Sequence, residues 1–152
     1  MTNTMPNDGN LQTHLHRCLR RRRLSVDLSC RDNTFWLQKL VPTPPIEWSE
    51  LPAGTKSLAL IVDDPEAPGR VFTHWILFNI PSDTRKLPQA LPTLPELTSG
   101  VLQGKNNFGR VGYGGPCLPP SQPHRYRFTV YALDEPLDLN AGVSKKQLIV
   151  AM

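Results

Sequence analysis

The sequence predicts an all-β, mainly antiparallel fold with one short C-terminal helix, and three observations carry that reading. Sixteen prolines in 152 residues are about twice the usual ~5% share; each fixes φ and removes an N–H, which excludes long helices. Short apolar runs such as Leu58–Val62 and Trp75–Phe78 have strand length and lie between proline- and glycine-rich connections. Tyr126–Leu133 alternates, with Tyr126, Phe128, Val130 and Ala132 on one side and Arg127, Thr129 and Tyr131 on the other. With 39% hydrophobic and 20% charged residues, the chain is able to bury a core, and its length suits one domain.

Residues 1–26 read as a basic, disordered arm ahead of a domain over residues 27–152. Arg17, Arg20, Arg21, Arg22 and Arg23 face Asp8 alone in the arm and account for the whole net charge of +4, so the body is neutral. A neutral body argues against a nucleic-acid surface. Leu11, Leu15 and Leu19 recur every four residues, a spacing that allows weak contact of the arm with an anionic membrane surface. No apolar run approaches the ~20 residues that cross a bilayer. The three cysteines, Cys18, Cys30 and Cys117, show no metal-ligand spacing. A reducing, cytoplasmic setting is expected, with a Cys30–Cys117 bridge left open.

Within the body, Pro42, Pro44 and Pro45 keep Leu40–Trp48 out of a central strand position. Leu51–Gly54 is a turn, and Leu58–Asp63 follows as a buried strand. Asp64–Arg70 holds two prolines and a glycine in seven residues and reads as a loop. Phe72–Asn79 is the next strand, Pro81–Leu97 a connection, Val101–Gln103 a short extended piece, and Gly104–Gln122 a long glycine-rich loop. Ser144 caps the expected helix, with Gln147 three residues later and Leu148, Ile149 and Met152 as its apolar stripe. About two turns are not stable alone, so the helix is expected to dock on the sheet.

Long loops in compact domains are usually functional or disordered, and the two long ones here each abut a strand that carries a histidine. Taken singly, His74 reads as a core histidine sharing a strand face with Phe72, Ile76 and Phe78, and His124 as a surface residue ahead of a strand. Together they suggest a site. Asp64 closes one strand, His74 lies in the next, and His124 and Tyr126 begin a third, while Gly112–Pro116 offers backbone that approaches a ligand closely and free N–H groups for an anion. Asp64 next to His74 would favour a cationic ring. Two imidazoles, a phenol and several N–H groups suit phosphate, sulfate or carboxylate. The same Asp64, His74 and His124 could instead ligate a metal, and Cys117 could serve as a nucleophile if a histidine lowered its pKa. No nucleophile elbow, P-loop or dinucleotide fingerprint is present.

Asp64-Pro65-Glu66-Ala67-Pro68 followed by Phe72-Thr73-His74-Trp75 and Asn79-Ile80-Pro81 resembles the first signature of the phosphatidylethanolamine-binding protein family. The second signature resembles the stretch from Gly109 to Tyr126, with Tyr113-Gly114-Gly115-Pro116 and His124-Arg125-Tyr126. Trp48, Pro52–Ser57 and Val130–Asp134 look like the bacterial and archaeal Raf-kinase-inhibitor-like branch. The resemblance covers roughly Pro44 to Met152. It implies a sandwich of antiparallel sheets and a small pocket for phosphate, phospholipid headgroups or other anions. That pocket would be formed by Asp64, His74, the Gly114-Gly115-Pro116 backbone, His124 and Tyr126. It implies binding and regulation rather than catalysis, with no cofactor and no metal; a protein partner and a homo-oligomer are left open. Family members usually continue past the helix at Ser144 into a further strand, so a truncated form of the fold is expected. The alternatives are a hydrolase or metal-dependent enzyme using the same cluster, or an inactive copy.

Overall fold

The computed structural model describes residues 18–26, 42–115 and 124–152. Seven strands and one helix follow in chain order: β1 (Cys18–Val26), β2 (Ile46–Glu47), β3 (Ser57–Asp64), β4 (Phe72–Pro81), β5 (Lys86–Leu87), β6 (Leu102–Gln103), β7 (Tyr126–Leu133) and α1 (Lys145–Ala151). Five strands form one antiparallel sheet in the order β1-β7-β3-β4-β6, and β2 pairs with β5 in a separate two-stranded sheet.

Strand β3 is central and buried along its whole length, which explains its unbroken apolar run. Its two faces feed two cores. Leu58, Leu60 and Val62 pack with Trp75, Leu77, Phe128 and Val130, and the small sheet covers them through Ile46 and Leu87. On the opposite face Ala59 and Ile61 pack with Ile76, Phe78 and Leu133, and Leu148 of α1 closes that layer. The helix docks through Leu148, with Met152 partly buried against the same core, whereas Ile149 of the expected stripe is exposed. Ser144 caps it by accepting from the Gln147 N–H, and Gln147 returns a bond to the cap backbone, a capping box.

Three features depart from the sequence reading. Residues 18–26, expected inside a disordered arm, form an edge strand whose register runs from Cys18 opposite Leu133 to Val26 opposite Tyr126. The backbone of β7 offers an unpaired edge that any extended segment is able to satisfy, and such pairing is blind to side-chain charge. The Pro81–Leu97 connection contains β5, held by Ile46 opposite Leu87. Strand β4 is also irregular: Val62 pairs with Trp75 but Asp63 with Thr73, so His74 is an extra residue in a β-bulge. A second bulge lies near Asn79, at φ 56°, where the Asn79 amide donates to the Leu137 carbonyl (3.0 Å) and accepts from the Leu137 N–H (2.8 Å). Expectations for residues 1–17, for Cys30 and for Pro116 and Cys117 fall outside the described residues.

Candidate functional site

Alternation alone would place His74 with Ile76 and Phe78. The bulge breaks that pattern. Ile76 and Phe78 stay in the helix-side core, while the His74 ring packs edge-on against Tyr126, of the opposite core, at 5.1 Å between centroids. Of the three expected neighbours only Phe72 remains, at 5.1 Å. Phe108 completes the enclosure, 5.4 Å from His74 and 4.7 Å from Phe72.

The loop after β6 holds this arrangement by hydrogen bonds. The Asn107 side chain accepts from the Thr73 N–H at 3.0 Å, and its N–H donates to the Thr73 carbonyl at 2.8 Å. One step along, the Gly114 N–H donates to the His74 carbonyl at 2.9 Å, and the His74 ring donates from Nδ1 to the Gly114 carbonyl at 2.7 Å. A carbonyl only accepts, so that contact requires the proton on Nδ1. Asn106, buried at 4% exposure, is the hub of the loop. Its Oδ1 accepts from the Phe108 and Arg110 N–H groups, and its Nδ2 donates to the Gly112 carbonyl. Position 114 has no room for a side chain, since a Cβ there would lie 2.4 Å from Cδ2 of Phe108. Phe108 also lines, with Asn106, Arg110, Tyr113 and Gly114, a cavity of about 90 Å³.

Asp64 ends β3 with its side chain buried. Oδ1 accepts from the Glu66 N–H at 2.9 Å and so shapes the following turn. Oδ2 accepts from Nδ1 of His124 at 2.6 Å. Glu66 adds a second clamp, accepting from the Arg125 N–H at 2.9 Å. Two acidic residues of one turn thereby fix the entry to β7. Asp63, on the other face, accepts from the Thr73 hydroxyl at 2.8 Å and from Nζ of Lys145 at 2.6 Å, which ties α1 to the same corner of the sheet.

The structure thus brings Asp64, His74, Gly114, His124 and Tyr126 to one end of the sheet, with Gly115 buried beside them; Pro116 lies outside the described residues. Two chemical expectations are corrected. Asp64 bonds to His124, not to His74, and burial pushes the His74 ring below its usual range against the opposing pull of the Gly114 carbonyl, Asp64 and Asp63. His74 is therefore a neutral ring at pH 7 and not a cationic donor. The N–H groups of Gly112 and Gly114, expected free for an anion, are taken by the carbonyls of Gly104 and His74. Among the described residues no group of three or more His, Cys, Asp and Glu side chains is arranged to hold a metal ion.

Phe108, Asn106, Asn107 and Glu66 escaped the sequence reading, which followed the glycines of the loop. The Asn-Asn-Phe-Gly run at 106–109 was the available signal, because asparagine side chains bond to nearby backbone and organise turns.

Comparison with known proteins agrees with this architecture. The family model described as phosphatidylethanolamine-binding protein matches residues 23–152. A UPF0098 protein of Methanothermobacter thermautotrophicus is 51% identical over 110 residues, 72% of this chain and 72% of that protein. One from Aquifex aeolicus is 52% identical over 112 residues, 72% of this chain but 65% of the relative's length. Among solved structures, a phosphatidylethanolamine-binding protein homologue of Chlamydia trachomatis superposes with a TM-score of 0.68 at 34% identity, covering 87% of each chain. Escherichia coli YbcL, described as a member of the mammalian family, gives 0.65 at 36% identity over 72% of this chain and 70% of its own.

Proposed function

From the premise that the chain belongs to the phosphatidylethanolamine-binding protein family, we propose that it is a non-enzymatic binding protein with a small pocket for phosphate, phosphoryl headgroups or related anions. The observation that carries this reading is the 2.6 Å bond between Asp64 and His124 beside the aromatic enclosure of His74. It joins residues sixty positions apart in sequence and leaves each imidazole one ring nitrogen, Nε2, for a ligand. Asp64 orients the His124 ring and supports a positive charge on it when an anion arrives. Gly114 fixes the His74 ring and, having no Cβ, leaves the Phe108 edge in place. Gly115 and Tyr126 complete the described part of the wall. The family's description names phosphatidylethanolamine, whose headgroup carries a phosphoryl group of this kind. Regulation of a protein partner, implied by the Raf-kinase-inhibitor-like resemblance, would act through occupancy of this pocket.

Titration with inorganic phosphate, followed by NMR of the imidazole protons, tests the proposal. Saturable shifts of the His74 and His124 resonances are expected, and their loss along with binding in the His74→Ala/His124→Ala double variant. Phosphate binding that survives in the double variant counts decisively against it.

A further inference from the structure

Phe108 borders two spaces. It faces the His74 ring at 5.4 Å, and it also lines the cavity of about 90 Å³, to which Asp64, His74, His124 and Tyr126 contribute nothing. That cavity lies where the glycine-rich loop meets the connection over residues 81–97, and both walls are held in place. The Gln103 side chain donates to the carbonyls of Pro92 and Leu94, at 2.7 and 2.8 Å, and so fixes the backbone on either side of Thr93. Gly112, at φ 94°, lets the loop close on that residue, since a Cβ there would lie 3.0 Å from Cα and Cβ of Thr93. Asn106 pins the backbone of Arg110: its Oδ1 accepts from the Arg110 N–H at 3.2 Å, and its own N–H donates to the Arg110 carbonyl at 2.8 Å.

Tyr113 and Arg110 bring polar groups without a partner to this cavity. The Tyr113 ring packs edge-on against Trp75 at 5.5 Å, and the residue is 9% exposed, yet its hydroxyl makes no hydrogen bond among the described residues. A buried phenol without a partner costs stability, a loss that a ligand would relieve. Burial pushes its pKa up, so the phenol keeps its proton and donates. The Arg110 guanidinium likewise bonds to no described residue, and Arg110 is exposed, so a ligand reaches it from solvent. The Asn106 amide, by contrast, is committed inside the loop. The cavity thus offers one cation and a phenolic donor, no carboxylate among its described lining residues, and the apolar surfaces of Phe108 and Val111.

We propose that this cavity is a second binding site, for a small monocarboxylate: the carboxylate is held by the Arg110 guanidinium and the Tyr113 hydroxyl, and a short apolar tail lies against Phe108 and Val111. The planar fork of arginine matches a carboxylate through two parallel N–H···O bonds. One positive charge balances one negative charge, whereas sulfate or dianionic phosphate would carry a second charge into a partly apolar space without a counterion. A cavity of this size has room for about six non-hydrogen atoms, the size of butyrate. The site is independent of the anion pocket proposed above and shares only Phe108 and Gly114 with it.

Calorimetric titration of the purified protein with acetate, propionate, butyrate and the neutral butyramide, with and without excess phosphate, tests this. Affinity is expected to rise about two- to fourfold per methylene from acetate to butyrate. Butyramide should bind about tenfold more weakly than butyrate, and phosphate should leave butyrate binding unchanged. Arg110→Gln and Tyr113→Phe should each weaken butyrate about tenfold. Arg110 is exposed, so its variant keeps the fold and decides the matter even if Tyr113→Phe does not fold. Absence of butyrate binding, or binding that neither substitution weakens, overturns the proposal. Displacement of butyrate by phosphate overturns it too and assigns the carboxylate to the anion pocket. Phosphate that fails to bind while butyrate binds as described overturns the pocket reading and leaves this second site standing.

Discussion

Asp63 and Asp64 are neighbours in sequence and opposites in role. Alternation along β3 sends Asp64 to His124 and Asp63 to Thr73 and Lys145, so one carboxylate orients the candidate site and the other anchors the helix. His74 differs from both because its environment works against charge. The ring is neutral in the folded protein, since burial lowers its pKa from 6.5. In the unfolded chain it titrates near that ordinary value. Below about pH 6.5 the unfolded state therefore binds a proton that the native state does not, and stability falls as pH falls, by up to about 1.4 kcal/mol per pH unit until the native ring also titrates. Above that pH the contribution is fully present. Urea denaturation of the wild type and a His74→Gln variant between pH 8 and pH 5 should show the shallower loss in the variant; identical slopes would mean that the ring is protonated in the native state.

At the scale of elements, the candidate site is made by an irregularity. The regular ladder of β4 would put His74 into the helix-side core, and the bulge between Trp75 and Thr73 turns it to the other face. The strands themselves were legible in the sequence, because Leu58–Asp63, Phe72–Asn79 and Tyr126–Leu133 carry their burial pattern openly. The bulge was not, since an extra residue in one strand is defined only against its partner's register. The C-terminal helix was legible too, from Ser144, Gln147 and the Leu148 stripe, whereas its tie to the sheet through Lys145 required Asp63 and Thr73 to be in place. Nζ of Lys145 lies 2.6 Å from Asp63, and the lysine side chain is 34% exposed, which solvent screening discounts. Lys145→Met should cost about 1 kcal/mol in chemical denaturation. Lys146→Met, one residue on at an exposed position, should cost little. Equal losses in the two variants would remove the anchoring role.

Over the whole molecule, the sheet has two cores of unequal cover. The small sheet, Trp48 and Val101 close one face, and on the other Leu148 of α1 is fully buried among Ala59, Ile61, Phe78 and Leu133. A helix of seven residues has no stability of its own, so it is held by that contact, its cap and Lys145. Leu148→Ala is expected to destabilise the protein by about 2–5 kcal/mol, the range for a buried leucine that leaves a cavity, read from the melting temperature and the urea midpoint. A loss below about 0.5 kcal/mol would show that α1 is not docked in solution. The arginine-rich segment also has its meaning at this scale. Its charge suggested solvent and an anionic surface, yet residues 18–26 add a strand to the edge of β7, because backbone pairing depends on an available edge rather than on side-chain polarity.

By itself the sequence determined strands β3, β4 and β7, helix α1 and the residues worth watching, since period, proline placement and capping act over a few positions and need no partner. Asp64, His74, Gly114, His124 and Tyr126 could be named that way. Which carboxylate meets which imidazole, which face His74 occupies, and whether the glycine-loop N–H groups are free were decided only by tertiary structure. Each depends on the register between strands far apart in the chain and on the burial that results, and burial is what turned the expected cationic ring at position 74 into a neutral one.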